Sequence, residues 1–97
     1  MDISQIKILE DCYDGSISRE FVFDSVVTKD FINYLSQKGK MNYYSSFAKP
    51  FYKIVSPDGI LTLKGIEGAS TLKLTIKNKN SELLLEELIS FIKSYDF

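Results

Sequence analysis

Lysine and aromatic side chains in the middle of the chain are the residues of this sequence best suited to form a binding site. Residues 38–79 hold eight lysines and only two acidic residues, whereas residues 1–37 and 80–97 are both net acidic. Lysines neutralise phosphates, and aromatic rings are surfaces on which unpaired bases stack. The net charge of −1 therefore hides a basic segment whose composition is that of a single-strand nucleic-acid binder.

Alternation of residue types predicts where these lysines point. In residues 72–77 leucine and isoleucine alternate with lysine and threonine, which is the pattern of a strand with one buried and one solvated face. The same pattern in residues 60–66 places Thr62 and Lys64 outside. The lysines expected on this outer face are Lys53, Lys64, Lys73 and Lys77. The alternative is an ordinary solvated face, on which lysines discourage edge pairing.

The aromatic residues of the same region support a second hypothesis, contact with another protein. They lie where the structural pattern is weak, so we expect some of them to be exposed. Exposed aromatic rings with lysines at their rim are typical of protein interfaces. The candidate interface residues are Tyr44, Phe47, Phe51 and Tyr52. A binding or accessory domain that contacts a protein partner or a second copy of itself is the function we expect, with nucleic-acid binding as the alternative.

Catalytic and metal-binding patterns are weak. The chain has no histidine, so zinc and transition metals lose a usual ligand, and Cys12 lies among Glu10, Asp11 and Asp14 without a cationic neighbour that would favour a thiolate. The three carboxylates match no calcium-loop spacing. We therefore expect no enzyme activity, no cofactor and no metal site.

Length and composition indicate a single domain over residues 1–97. With 44% apolar residues, the chain can form one modest core. One cysteine excludes an intrachain disulfide, the first residues lack the pattern of a signal peptide, and no apolar run approaches membrane-spanning length. We expect a cytoplasmic protein with no membrane contact.

The predicted elements alternate between strands and helices. Residues 3–11, with Ile6 and Ile8 on one face, and residues 17–27 form a hairpin around Asp14-Gly15, and residues 51–78 form three strands joined by tight turns. Thr28 begins a short helix that Gly39 should end in the left-handed conformation.

A second helix over residues 82–95 carries a broad apolar stripe. Residues 40–50 are either a loop or an edge strand. The fold class is α+β: a two-layer structure with an antiparallel sheet of five or six strands and two helices on one face, in the order β-β-α-(β)-β-β-β-α.

Overall fold

The structure is a computed structural model, and it describes residues 1–46 and 48–95. Six strands and two α-helices follow one another along these residues in the order β-β-α-β-β-β-β-α, which fits the order predicted from the sequence. The elements are β1 (Ile3–Asp11), β2 (Ile17–Phe23), α1 (Lys29–Leu35), β3 (Lys40–Tyr44), β4 (Phe51–Val55), β5 (Leu61–Ile66), β6 (Thr71–Ile76) and α2 (Ser81–Lys93).

All strands belong to one antiparallel sheet in the order β1-β2-β6-β5-β4-β3. Most neighbours are consecutive in the chain, but β2 pairs with β6 across the whole central part of the sequence. This long-range pairing joins the first hairpin to the three strands β4, β5 and β6. The predicted α+β class with two helices on one face is confirmed, and the uncertain segment at residue 40 forms edge strand β3.

Local signals in the sequence account for the element boundaries. Thr28 caps α1 by accepting a hydrogen bond from the amide of Phe31 at 3.2 Å. Between β4 and β5, the carboxylate of Asp58 accepts hydrogen bonds from the hydroxyl of Ser56 at 2.6 Å and the amide of Ile60 at 3.0 Å. Gly59 follows with φ +74°, a left-handed value that glycine adopts without steric cost.

The core lies between the sheet and the two helices. Helix α1 buries Phe31, Ile32 and Leu35, and α2 buries Leu88 and Ile92. These side chains meet the inward residues of the strands, which are almost fully buried: Phe21, Tyr52, Ile54, Leu63, Leu72, Leu74 and Ile76. Within the described chain, neither helix has the length and apolar character to cross a bilayer.

Two local predictions are wrong. The second strand ends at Phe23 rather than at residue 27, because the backbone of Val27 turns away to bond Ala69 at 2.7 Å and Gly68 at 2.8 Å. Gly39 does follow the helical region, after a 3₁₀ turn over Ser36–Lys38. Its φ of 172° is extended backbone, however, and not the left-handed conformation expected.

A different constraint applies at Gly39. A Cβ atom there would lie 2.1 Å from the carbonyl oxygen of Val55, a separation that no packing tolerates. Glycine therefore allows the close approach of two backbones where the chain enters β3 beside β4.

Strand β1 lies at the edge of the sheet, where α2 approaches its first half through Ile89. Ile6 and Ile8, expected on one face of this strand, are 38% and 70% exposed. The pairing with β2 also shifts at two places, between Ile3 and Gln5 and between Ile8 and Glu10. The alternation in β1 is therefore that of a strand, but its apolar side is only partly covered by the rest of the described chain.

Candidate functional site

The face of the sheet opposite the helices is solvent-exposed, and we call it the open face. Its side chains are the strand residues that alternate with the buried ones, so burial along β4 and β6 changes at almost every position. This face presents lysines, threonines and a few apolar side chains. Its geometry follows from the register of the six strands.

The lysine row is the main feature of the open face, and it consists of Lys53, Lys64 and Lys73. Lys53 of β4 lies directly opposite Lys64 of β5, and Lys64 lies directly opposite Lys73 of β6. Neighbouring strands are about 5 Å apart, so three positive charges stand side by side over about 10 Å. All three side chains are exposed.

Within the described chain, no carboxylate forms an ion pair with a lysine of the row. In residues 1–46 and 48–95 the ion pairs are Lys7 with Glu20 and Arg19 with Asp11, and neither involves a lysine of the row. Like charges directly opposite each other on adjacent strands destabilise a sheet. The row is therefore a concentrated positive site suited to bind anions, with one carboxylate, that of Glu20 on β2, opposite its outer member Lys73.

Lys77, the fourth predicted lysine, lies outside the row. It follows the last residue of β6, and its amide donates a hydrogen bond to the carbonyl of Ile60 at 2.9 Å. It is four positions after Lys73, which corresponds to about 13 Å along an extended chain. The structure thus brings three of the four predicted lysines together and leaves Lys77 at the end of the sheet.

An aromatic pair adjoins the lysine row on the same face. The rings of Tyr44 and Phe51 lie directly opposite each other on β3 and β4, with centroids 5.4 Å apart. Together with Ile66 and Lys49 they line a shallow, mostly apolar cavity of about 510 Å³. Tyr44 and Ile66 are 42% and 43% exposed, so aromatic and aliphatic surface is available beside the positive charges.

Tyr52 does not belong to any exposed surface, and its prediction as an interface residue is wrong. Its side chain points to the helix side, where it is 0% exposed. It lies directly opposite Gly65, and the missing side chain there leaves room for the ring, since an added Cβ would come within 2.7 Å of the Tyr52 hydroxyl. Phe47 lies outside the described residues, so its predicted role stays a prediction.

The buried hydroxyl of Tyr52 has no hydrogen-bond partner among the described residues. Burial raises the pKa of this phenol well above its ordinary value, so the group stays neutral at any physiological pH. It lines none of the surface cavities near the open face. Tyr52 is therefore a core residue with a polar atom that costs stability.

The acidic turn between β1 and β2 holds its carboxylates in separate contacts. Asp11 binds Arg19 at 2.6 Å, and Asp14 accepts the amide of Ser16 at 2.9 Å, which lowers the pKa of Asp14. The thiol of Cys12 donates a hydrogen bond to Glu10 at 3.2 Å. That bond and the neighbouring carboxylates raise the pKa of Cys12, so the thiol stays protonated and weakly nucleophilic.

Three residues in or beside the open face were not predicted from the sequence. Ile66 and Lys49 help to line the cavity beside the aromatic pair, and Glu20 lies directly opposite Lys73. Alternation from Lys64 would have placed Ile66 on the outer face, because the two residues are two positions apart. No sequence signal identifies Glu20, since its neighbourhood depends on the pairing of β2 with β6.

Comparison with known proteins adds no relative to this description. The scan against protein-family models finds no match, and neither the search of curated proteins nor the search of solved structures returns a significant one. What the domain does must therefore be inferred from the open face and its chemistry.

Proposed function

We propose that this is a non-enzymatic, cytoplasmic domain that binds single-stranded nucleic acid through its open face. The observation that carries the proposal is the register that places Lys53, Lys64 and Lys73 in one row without a carboxylate partner. Such a row suits the phosphates of an extended strand. An acidic protein segment could use the same charges, but unpaired bases are the ligands that stack face to face on exposed rings beside a row of lysines.

The aromatic pair gives the proposal its preference for single strands. Bases of a single strand are free to stack on exposed rings, and one such contact contributes about 1–3 kcal/mol. Tyr44 is exposed beside Phe51, which lies two positions before Lys53 on β4. Duplex bases are already stacked, so a duplex would use the lysines alone and bind more weakly.

Fluorescence anisotropy of a labelled oligothymidine of about twelve nucleotides tests the proposal. Three neutralised phosphates predict a slope of about −2 for the logarithm of affinity against the logarithm of salt, which is about a 20-fold loss between 50 and 200 mM. Replacing all three lysines of the row with glutamine should remove most of the binding. No binding to the parent protein at about 100 µM and low salt would overturn the proposal.

Matched variants separate the two parts of the site. Lys64→Gln should weaken binding and flatten the salt dependence, whereas Lys93→Gln makes the same change of charge on an exposed position of α2 and should have little effect. Tyr44→Ala should cost about tenfold in affinity through lost stacking, whereas Tyr13→Ala removes a more exposed ring outside the open face and should cost nothing. If a site variant and its matched control reduced the affinity equally, the proposed site would be contradicted.

Protein contact through β1 is the second candidate function. The uncovered side chains of Ile6, Ile8 and Leu9 at the sheet edge support it, because exposed apolar surface on an edge strand favours pairing with another chain. The two irregularities in β1 disfavour such pairing, which is why this candidate is second.

Sedimentation velocity over a range of concentrations tests self-association through β1. If β1 pairs with a second copy, the parent protein should associate and Ile8→Ser should weaken that association without lowering the melting temperature. A parent protein that stays monomeric at every concentration would rule out self-association through β1.

A further inference from the structure

The lysine row continues beyond Lys73 onto the first two strands, and there its charge alternates. Glu20 of β2 lies directly opposite Lys73 of β6, and Lys7 of β1 lies directly opposite Glu20. The ammonium of Lys7 and the carboxylate of Glu20 are 4.0 Å apart. The carboxylate of Glu20 thus stands between Lys7 and Lys73, and Lys73 is the last lysine of the row.

We propose that Glu20 is an internal counter-ion that ends the nucleic-acid site at Lys73, an inference that rests on the proposed function. Its carboxylate occupies the place where a phosphate would otherwise bridge Lys73 and Lys7. It also repels the next phosphate of a strand that lies along the row. Glu20 therefore confines a bound strand to the half of the sheet formed by β3, β4, β5 and β6.

The burial of the pair supports this role. The side chain of Glu20 is 20% exposed and that of Lys7 is 49% exposed, so the carboxylate is held in place by its surroundings more firmly than the ammonium. Among the described residues, Lys7 is the partner that the Glu20 side chain contacts by an ion pair or hydrogen bond. A partly buried charge is screened less by solvent than an exposed one, so its repulsion of a phosphate stays effective in moderate salt.

Removing the carboxylate should lengthen the site by one lysine. With Glu20 neutral, Lys7 can contact a strand that also lies along Lys53, Lys64 and Lys73, and the slope of affinity against salt should steepen from about −2 to about −3. The loss of affinity between 50 and 200 mM salt would then rise from about 20-fold to about 50-fold. At low salt the affinity itself should increase by about threefold or more, since a repulsive charge near the phosphates is gone.

The experiment compares Glu20→Gln with Glu86→Gln in the same anisotropy titrations with labelled oligothymidine. Glu86 is exposed on α2, so its replacement changes the net charge equally but on the helix side. We expect tighter binding and a steeper salt slope for Glu20→Gln alone. The double variant Glu20→Gln/Lys7→Gln should return the slope to that of the parent. Thermal melts check folding, and Glu20→Thr is a substitute suited to a strand if the glutamine variant does not fold.

The outcomes separate this inference from the proposed function. If the parent binds and Glu20→Gln behaves like Glu86→Gln, Glu20 is no counter-ion and the proposed function stands. A steeper salt slope that persists in the double variant would also overturn the inference, because Lys7 would not be the lysine that supplies the added phosphate contact. If neither the parent nor Glu20→Gln binds the oligonucleotide, the proposed function fails, and this inference fails with it.

Discussion

The two faces of one sheet have opposite chemistry, and consecutive residues show it. Leu63 is fully buried under the helices, whereas Lys64, the next residue of β5, is exposed in the middle of the lysine row. Ile54 and Lys53 differ in the same way on β4. Because side chains alternate along a strand, every strand contributes to both layers. The helix face maintains the fold, and the open face is free to hold charges that the fold does not need.

The charges of the open face lower the stability of the domain. Three lysines directly opposite one another repel, whereas each apolar contact on the helix face stabilises the folded state. Substitutions on the two faces should therefore act in opposite directions. Changes on the helix face should reduce stability, and neutral replacements in the lysine row should increase it slightly while binding is lost.

The largest expected effect is a charge placed under the helix layer. Leu88 is 2% exposed in the centre of α2, and Leu88→Asp should prevent folding or lower the free energy of unfolding by at least about 4 kcal/mol. Circular dichroism with urea titration measures it. Leu83→Asp on the same helix is the control, since Leu83 is 57% exposed and should tolerate the change. A stable, cooperatively folded Leu88→Asp protein would contradict the packing described.

The next effect concerns the close approach of backbones at Gly39. Gly39→Ala places a Cβ atom against the carbonyl of Val55 and should cost about 1–3 kcal/mol. Gly39→Asn distinguishes the two explanations for this glycine. Asparagine tolerates the left-handed conformation, so it would be accepted if Gly39 were a helix terminator. We expect it to destabilise the domain at least as much as alanine, and a thermal melt equal to that of the parent would contradict the close contact.

A smaller effect of opposite sign is expected at Tyr52. Tyr52→Phe removes a buried hydroxyl that has no partner in the described chain, so the free energy of unfolding should rise by about 1 kcal/mol. Tyr43→Phe is the control on the neighbouring strand, because its hydroxyl donates a hydrogen bond to Glu67 at 2.7 Å and its loss should not stabilise. A destabilised Tyr52→Phe protein would indicate that the hydroxyl has a partner.

The smallest effect is expected in the lysine row itself. Lys64→Gln removes the central charge and relieves repulsion on both sides, so stability should rise by a few tenths of a kcal/mol at low salt. The gain should disappear at about 1 M salt, where charges are screened within about 3 Å. Urea titrations at the two salt concentrations measure it. Lower stability of Lys64→Gln at low salt would mean that the lysine is paired and the row is not a repulsive site.

Much of the fold follows from local signals in the sequence. Thr28, the turn at Asp58 and the apolar stripe of α2 each act over a few residues, so their elements appear where the pattern predicts them. Gly39 shows the limit of such signals. A glycine after a helix suggests a left-handed end, but the atom that requires glycine here is the carbonyl of Val55, which only the folded chain brings near.

The candidate site could be predicted in part. Alternation placed Lys53, Lys64 and Lys73 on an outer face, and it also implied that Tyr52 points inward, since Tyr52 lies next to Lys53. What alternation cannot provide is register. A shift of one residue between β4 and β5 would place Lys53 opposite an apolar residue, so the row exists only through pairings that the sequence does not reveal. The same holds for Glu20, which meets Lys73 through the long-range pairing of β2 with β6.

Mapping of amide chemical shifts by nuclear magnetic resonance, with unlabelled oligothymidine added to isotope-labelled protein, would show where on the domain a single strand binds. If the open face is the binding site, the shifted amides should cluster on β3, β4, β5 and β6 around Lys53, Lys64 and Tyr44, with little change in α2. Shifts that cluster on the helices or on β1, or that are absent at low salt, would show that the open face is not the binding site.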